Sequence, residues 1–395
     1  MNPFTFQYPV KVVFNPEAEN QVGQEALAFG EKVLIHHDSG AYLEDSGLLP
    51  RVRKSLDEAG VSYIELGGVR PNPRLSLMRE GIELCRKEGI EAVIAIGGGS
   101  VMDSAKTIAM GAVYDGDVWD FALWKAQVKD TLPVITIPTM SGTGSEVSCC
   151  AMVCNDEVEP EDKRGIITMA IVPKVALINP PLQASLPKKQ VASGCMDIIS
   201  HTLTTWFTDS QDVYITDRMM EGLIESVIKY APVVLENPTD YEARAQIAMA
   251  ASLAVVFMCG FERNSCGADH AIENPLTTMH HLAHGTTLAI ICPAWMRYVY
   301  KRDLPRFVQF ANRLMGVPVD PFDMEGTALE GIVRFEQFIK DRLGLPTHMS
   351  EIGVENSDID FLANVVTNNG TTTVGGEGPY KLDINDVKKI YEIAK

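Results

Sequence analysis

Residues 91–106, EAVIAIGGGSVMDSAK, pass from a nearly unbroken apolar stretch through three glycines into a helical pattern. An apolar run of strand length followed at once by a helix is the repeating unit of a parallel sheet covered on both faces. The alternation recurs through the first half of the chain. KVLIHH (32–37), VSYIEL (61–66) and PVITIPT (133–139) are β-like. GLLPRVRKSLDEAG (47–60), PRLSLMREGIELCRKEG (73–89) and VMDSAKTIAMGAVY carry helical periodicity. This half is predicted to be an α/β domain.

INPPLQASLPKK (178–189) has three prolines and no period, which marks a boundary. Beyond it lie long helical patterns, among them VASGCMDIISHTLTTWF, DRMMEGLIESVIKYAPVVLE and GTALEGIVRFEQFIKDRLG, with no strand run of comparable quality. The expected organisation is an α/β dinucleotide-binding domain over 1–182 and an all-helical domain over 183–395.

Two loops in the first half suit phosphate. Gly97, Gly98, Gly99 and Ser100 follow a buried strand and open a helix. Glycine there lets backbone N–H groups come close to an oxyanion, and the helix N-terminus adds partial positive charge. PTMSGTGSEVS (138–148), after the next strand, offers Thr139, Ser141, Thr143 and Ser145 beside Gly142 and Gly144. Glycine in one such turn serves purely steric needs as often as binding; two at neighbouring strand ends point to a ligand. Asp38 ends the first β-like run, where a carboxylate accepts hydrogen bonds from a ribose diol and repels a 2′-phosphate. That favours NAD over NADP, with a helix-capping role for Asp38 as the other reading.

In the second half, Asp197 and His201 stand four residues apart, on one helix face and one turn from each other. His270 and His284 lie fourteen apart and converge only if the chain turns between them, which Gly285 permits. One carboxylate and three imidazoles suit Fe(II) or Zn(II) better than Mg or Ca. His280 and His281 read as surface or supporting residues. A rival pairing of Cys266 with His270 lacks the thiolate-rich set of structural zinc.

Lys and Arg total 34 against 52 Asp and Glu, a formal charge of −18, which argues against nucleic acid or an anionic membrane surface as partner. The eight cysteines are scattered and read as buried thiols. No signal peptide is evident, and the longest near-apolar run, 247–261, falls short of the ~20 residues a membrane span needs. A cytoplasmic protein is expected.

GGGSVMDSAK, PTMSGTGSEV, the Asp-x-x-x-His pair and the later His…His-Gly pair resemble, in order, the iron-containing (group III) alcohol dehydrogenase family, across essentially the whole chain. The resemblance implies a dehydroquinate synthase-like architecture, with an active site between an α/β N-terminal Rossmann-like nucleotide domain and an all-α C-terminal domain. It also implies a homodimer and a metal-dependent alcohol dehydrogenase or aldehyde reductase of short-chain substrates. By position it assigns Asp197, His201, His270 and His284 to Fe(2+), alternatively Zn(2+). It assigns Asp38, Gly97, Gly98, Gly99, Ser100, Asp103, Thr139, Ser141, Thr143, Lys163 and Leu182 to NAD, alternatively NADP. Cys150, Phe261, Arg263 and Asn274 fall at pocket positions. Asn274 replaces the histidine many members carry four residues after the third ligand. Arg263 suggests a polar or anionic aldehyde, against a surface ion pair with Glu262. The alternatives are a glycerol dehydrogenase-like zinc enzyme of the same superfamily and a catalytically silent nucleotide- or metal-binding protein.

Overall fold

Burial on both faces accounts for strands that are apolar at every position. The structure, a computed structural model, describes residues 3–38, 40–159, 161–210, 213–258, 263–280, 282–354 and 358–395. Residues Gln7–Ser185 form one unit and Leu186–Lys395, with Met1–Phe6, another. The first holds β1 (Lys11–Phe14), β2 (Lys32–Asp38), β3 (Ser62–Val69), β4 (Ala92–Gly97), β5 (Val134–Pro138), β6 (Cys150–Asn155), β7 (Asp162–Ile167) and β8 (Val175–Ile178). Its longer helices are α1 (Leu48–Ala59), α2 (Leu75–Glu88) and α3 (Gly99–Ala112).

Six strands make a parallel sheet in the order β1-β8-β5-β4-β2-β3. Val33, Ile35, Ile94, Ile96, Ile135 and Ile137 turn to one face, where Leu49, Val52 and Leu56 of α1 pack. Leu34, Val93, Ala95 and Val134 turn to the other, against Met78 and Ile82 of α2 and Ala105 and Ile108 of α3. From β2 the chain steps outward to β3, crosses back to β4 and continues to β5. The winding therefore reverses between β2 and β4, the place where doubly wound sheets bind ligands beyond their carboxyl ends. Asp38 and Gly97 end these two strands.

The sequence reading anticipates neither β1 nor β8, each only four residues and too short to display a period. It also misses β7, the second strand of the antiparallel β6–β7 hairpin, because DKRGII is polar where it faces water.

The second unit is helical: α4 (Lys188–Trp206), α5 (Tyr214–Glu236), α6 (Tyr241–Met258), α7 (Ala268–His280), α8 (His284–Val299), α9 (Leu304–Arg313), α10 (Met324–Gln337), α11 (Asp358–Val366) and α12 (Ile384–Ala394). Among the described residues its β pairing is the single bridge Val374–Leu382. Phe207 anchors the core, with ring centroids 4.8 Å from Phe307 and 5.1 Å from Trp295. Helix α4 is buried along nearly its whole length, so its Ser200, Thr204 and Asp197 need polar partners inside the protein. No described helix is long and apolar enough to cross a membrane.

One buried histidine stiffens the sheet beneath the glycine turn. His36 of β2 places Nδ1 2.8 Å from the Leu66 carbonyl and Nε2 2.8 Å from Ser104 Oγ of α3. Burial pushes its pKa down to about 4, so the ring is neutral in the fold and protonated more readily in the unfolded chain. The stability this contributes is present above pH 6.5 and is lost as pH falls toward 4, by up to about 3 kcal/mol. In urea unfolding, the stability gap between wild type and His36→Gln is expected to be widest near pH 7.5 and to shrink through that window.

Candidate metal centre and nucleotide cradle

Helix α4 carries Asp197 and His201 one turn apart, with His201 Nε2 3.6 Å from Asp197 Oδ1. His270 stands in the first turn of α7, and His284 opens α8. His284 Nε2 lies 3.5 Å from the same Asp197 Oδ1. The His201 and His270 rings stack with centroids 4.8 Å apart, and His284 stands 5.3 Å from His270. One ligand atom from each of the four residues lies within 4.8 Å of the other three. Cys266 and His280 are outside this cluster, and His281 lies outside the described residues.

The site owes its shape to a close helix contact. A Cβ on Gly285 would sit 1.9 Å from the Ser193 carbonyl oxygen, so only glycine lets the first turn of α8 rest on α4. The sequence reading gives Gly285 a role in a loop; in the structure it is helical and serves proximity.

Two carboxylates that the sequence reading does not single out stand behind the imidazoles. Asp269 Oδ1 lies 3.1 Å from His270 Nδ1, and Thr204 and Ser200 donate to the Asp269 carboxylate. Burial opposes charge on His270, but Asp269 outweighs it and holds the ring up at about 9. Burial instead lowers His201 to about 4. Glu273 Oε1 stands 2.8 Å from His284 Nδ1. On the cluster side, Asp197 Oδ1 and His270 Nε2 are buried and lack a hydrogen-bond partner among the described residues. A tetrahedral ion with bonds of about 2.1 Å separates its ligand atoms by roughly 3.4 Å. The spacings around Asp197 match, and the N₃O donor set suits a borderline divalent ion.

In the α/β unit the glycine turn and the second loop meet. A Cβ on Gly99 would fall 2.5 Å from Thr143 Oγ1, and the Thr139 N–H donates to the Gly97 carbonyl at 3.0 Å. Gly98 caps α3, whose N-terminal amides face this junction. The loops are tied by Lys106, a residue the sequence reading passes over. Its ammonium is fully buried and donates to Ser145 Oγ (2.8 Å) and to the carbonyls of Ser148 and Cys150. Ser145 in turn donates to Asp103 Oδ1 at 2.6 Å, and the Met152 N–H to Asp103 Oδ2. Burial raises the carboxyl's pKa and lowers the ammonium's, while their mutual attraction opposes both.

Beside the turn a cleft of about 440 Å³ is lined by Tyr42, Arg51, Thr139, Asn179 and Leu182. Asp38 receives the Gly40 N–H at 2.8 Å and the Tyr42 hydroxyl at 2.9 Å, and that hydroxyl is 3.2 Å from Thr139 Oγ1. Ser141 is buried and donates to Gln183 at 2.8 Å.

Comparison with known proteins decides the family. A model described as iron-containing alcohol dehydrogenase matches residues 9–180, and that of the family's C-terminal part matches residues 191–394. The chain belongs to the iron-containing alcohol dehydrogenase family. It is 32% identical to NADH-dependent butanol dehydrogenase A of Clostridium acetobutylicum over 99% of both chains. It is 30% identical to the NADPH-dependent aldehyde reductase YqhD of Escherichia coli, covering 100% of each. The solved structure of NADH-dependent butanol dehydrogenase A from Thermotoga maritima superposes with a TM-score of 0.93 at 34% identity, covering 100% of this chain and 99% of that one.

Within this family member the remaining pocket positions separate. Lys163, on β7, lies near enough to Asp103 to favour its charged form. Cys150 opens β6 half-buried, its thiol pushed up to about 12 by burial, first, and by Asp103. Asn274 follows His270 by one turn of α7, and Phe261, like Glu262, lies outside the described residues. Arg263 requires a correction. Its guanidinium is buried, pairs with Asp217, and donates to Thr216 and the Val213 carbonyl. It anchors the start of α5 beside a second Asp217 partner, Arg306, so the structure gives no support to an anionic substrate held by Arg263. Adjacent sequence position drew attention to it; the pairing partner lies 46 residues away.

Gly285→Ala tests the helix contact. The variant is expected to lose about 1–3 kcal/mol of stability from forced overpacking. An unfolding free energy within about 0.5 kcal/mol of wild type, the scale of an ordinary surface substitution, would contradict the contact.

Proposed function

We infer that this chain interconverts short-chain alcohols and aldehydes with a nicotinamide cofactor, through a divalent ion held by Asp197, His201, His270 and His284. The observation that carries the reading is the convergence of one carboxylate and three imidazoles, with Asp197 Oδ1 buried and lacking any hydrogen-bond partner among the described residues. When bound, a divalent ion supplies Lewis acidity toward a carbonyl or alcohol oxygen, and the nicotinamide supplies or takes the hydride.

The chain's own residues bind and orient. Gly97, Gly98, Gly99 and Ser100 present the α3 amides to a pyrophosphate, supported by Thr139, Ser141 and Thr143 of the facing loop. Lys106 and Asp103 hold those loops together through Ser145. Leu182 and Thr139 offer an adenosine-sized cleft, and Lys163 adds positive charge on the β6–β7 hairpin. Asp38 selects the ribose: its carboxylate, aligned by Tyr42, accepts from a diol and repels a 2′-phosphate. Relatives named for NADH and for NADPH both occur, and in this reading Asp38 is the side chain that favours NADH here. Cys150 and Asn274 are read as pocket residues for an uncharged short-chain substrate. A homodimer follows from the family resemblance, and sedimentation velocity checks it.

Asp197→Ala and His284→Ala are expected to lose stoichiometric metal in inductively coupled plasma analysis of protein reconstituted with Fe(II) or Zn(II). Full occupancy in both variants would refute the ligand set. Asp38→Gly is expected to shift the kcat/KM ratio toward NADPH by about tenfold, the equivalent of roughly 1.4 kcal/mol. An unchanged ratio with a short aldehyde would remove Asp38 from cofactor selection.

A further inference from the structure

A histidine that ligates through Nε2 must carry its proton on Nδ1, and something has to hold it there. In this chain two acidic side chains of one helix stand at the two Nδ1 atoms. Asp269 Oδ1, on α7, lies 3.1 Å from His270 Nδ1 and also accepts the His270 backbone N–H at 2.9 Å. Thr204 Oγ1 and Ser200 Oγ donate to the same carboxylate at 3.0 and 2.5 Å, which fixes its plane. One turn on, Glu273 Oε1 stands 2.8 Å from His284 Nδ1, while Thr277 and Thr287 donate to its other oxygen. Glu273 Oε1 and His284 Nδ1 do not meet hydrogen-bond geometry with each other, so the carboxylate acts on the ring through charge. Both carboxylates are buried.

We propose that Asp269 and Glu273 are positioning residues that keep His270 and His284 in the Nδ1–H tautomer, leaving each Nε2 lone pair for the shared ion. This rests on the metal-centre reading above and deepens it. A buried carboxylate behind an imidazole orients the ring and raises the basicity of its far nitrogen. His201 differs: among the described residues no carboxylate stands within ion-pair distance of its Nδ1, and its one acidic contact is Nε2 to Asp197 Oδ1 at 3.6 Å. The two carboxylates also add two negative charges beside Asp197, which favours retention of a divalent cation over a monovalent one.

The spacing explains why one helix does both jobs. Asp269 and Glu273 are four apart, as a helix face requires, and His270 sits between them in sequence. Glu273 then reaches across to α8, where His284 and Thr287 are three apart and share a face.

The test uses full-length protein stripped with a chelator, then titrated with Zn(II) against a chromophoric competitor. Glu273→Gln and Asp269→Asn are each expected to weaken zinc binding about 10–100-fold. Two-dimensional ¹H–¹⁵N spectra of the stripped wild type, recorded at about pH 10 so that His270, held up at about 9, is neutral, are expected to show Nδ1–H tautomers for His270 and His284, and a mixed tautomer for His284 in Glu273→Gln. Thr287→Val, which removes the link from Glu273 to α8 but leaves the carboxylate at His284, is expected to keep the wild-type tautomer. That separates tautomer control from helix stapling. Zinc affinities of both acid variants within twofold of wild type, or Nε2–H tautomers in the wild type, would overturn the proposal. If the wild type took up no stoichiometric zinc, the metal-centre reading would fall by itself, and the tautomers would still decide this one. Should Glu273→Gln fail to fold, the zinc affinity of Asp269→Asn and the wild-type tautomers decide between the two outcomes.

Discussion

Asp197 places a carboxylate in the interior of a helical bundle, 3% exposed, and that single burial shapes much of the second unit. An isolated ionised carboxylate cannot be held in an apolar core without compensation. Nε2 atoms of His201 and His284 stand at 3.6 and 3.5 Å from one oxygen and His270 closes the group, so that the divalent ion proposed for these four residues would supply the compensating charge. The arrangement requires α8 to lie directly on α4, which the missing Cβ of Gly285 allows. The imidazoles then need carboxylates behind them, and α7 supplies these as Asp269 and Glu273. A chain of polar requirements thus runs outward from one oxygen atom until it reaches threonine and serine hydroxyls, which end it because they both donate and accept.

The α/β unit faces a different problem, holding together the two loops proposed to present backbone amides to an anion. Parallel strands β4 and β5 end side by side, and the loops that follow approach until Gly99 and Thr143 leave no room for a side chain. The sheet ladder reaches these loops only at its last bond, from the Thr139 N–H to the Gly97 carbonyl. Lys106 performs the fastening with all three of its N–H groups, so the cradle is preformed by a buried ion-pair relay through Ser145. Neutral His36 packs behind the same helix and joins β2, β3 and α3 at a point where a charged ring would be costly.

Much of this was legible in the chain. The unbroken apolar runs required a sheet buried on both faces, and the glycine-containing loops marked the carboxyl ends of β4 and β5. The i, i+4 spacing of Asp197 and His201 could be read as one helix face without any tertiary knowledge. Reading failed where partners are distant. The sequence offered Arg263 either an anionic substrate or its neighbour Glu262, whereas Asp217 and Thr216 of α5 claim it. Lys106 drew no notice in the sequence, because its burial depends on carbonyls 42 and 44 residues onward. The strands β1 and β8 were too short, and β7 too polar, for any periodicity to reveal them.

The amino-acid sequence alone determined the α/β-then-helical organisation, the two phosphate-type loops and the four residues with metal-ligating chemistry, because each rests on local period, local spacing or side-chain type. The convergence of His270 and His284 on Asp197, the assignment of Asp269 and Glu273 to the rear of the imidazoles, and the withdrawal of Arg263 into an ion pair were decided only by tertiary structure. Those depend on which helix faces meet, and a linear chain carries no direct measure of distance between residues tens of positions apart.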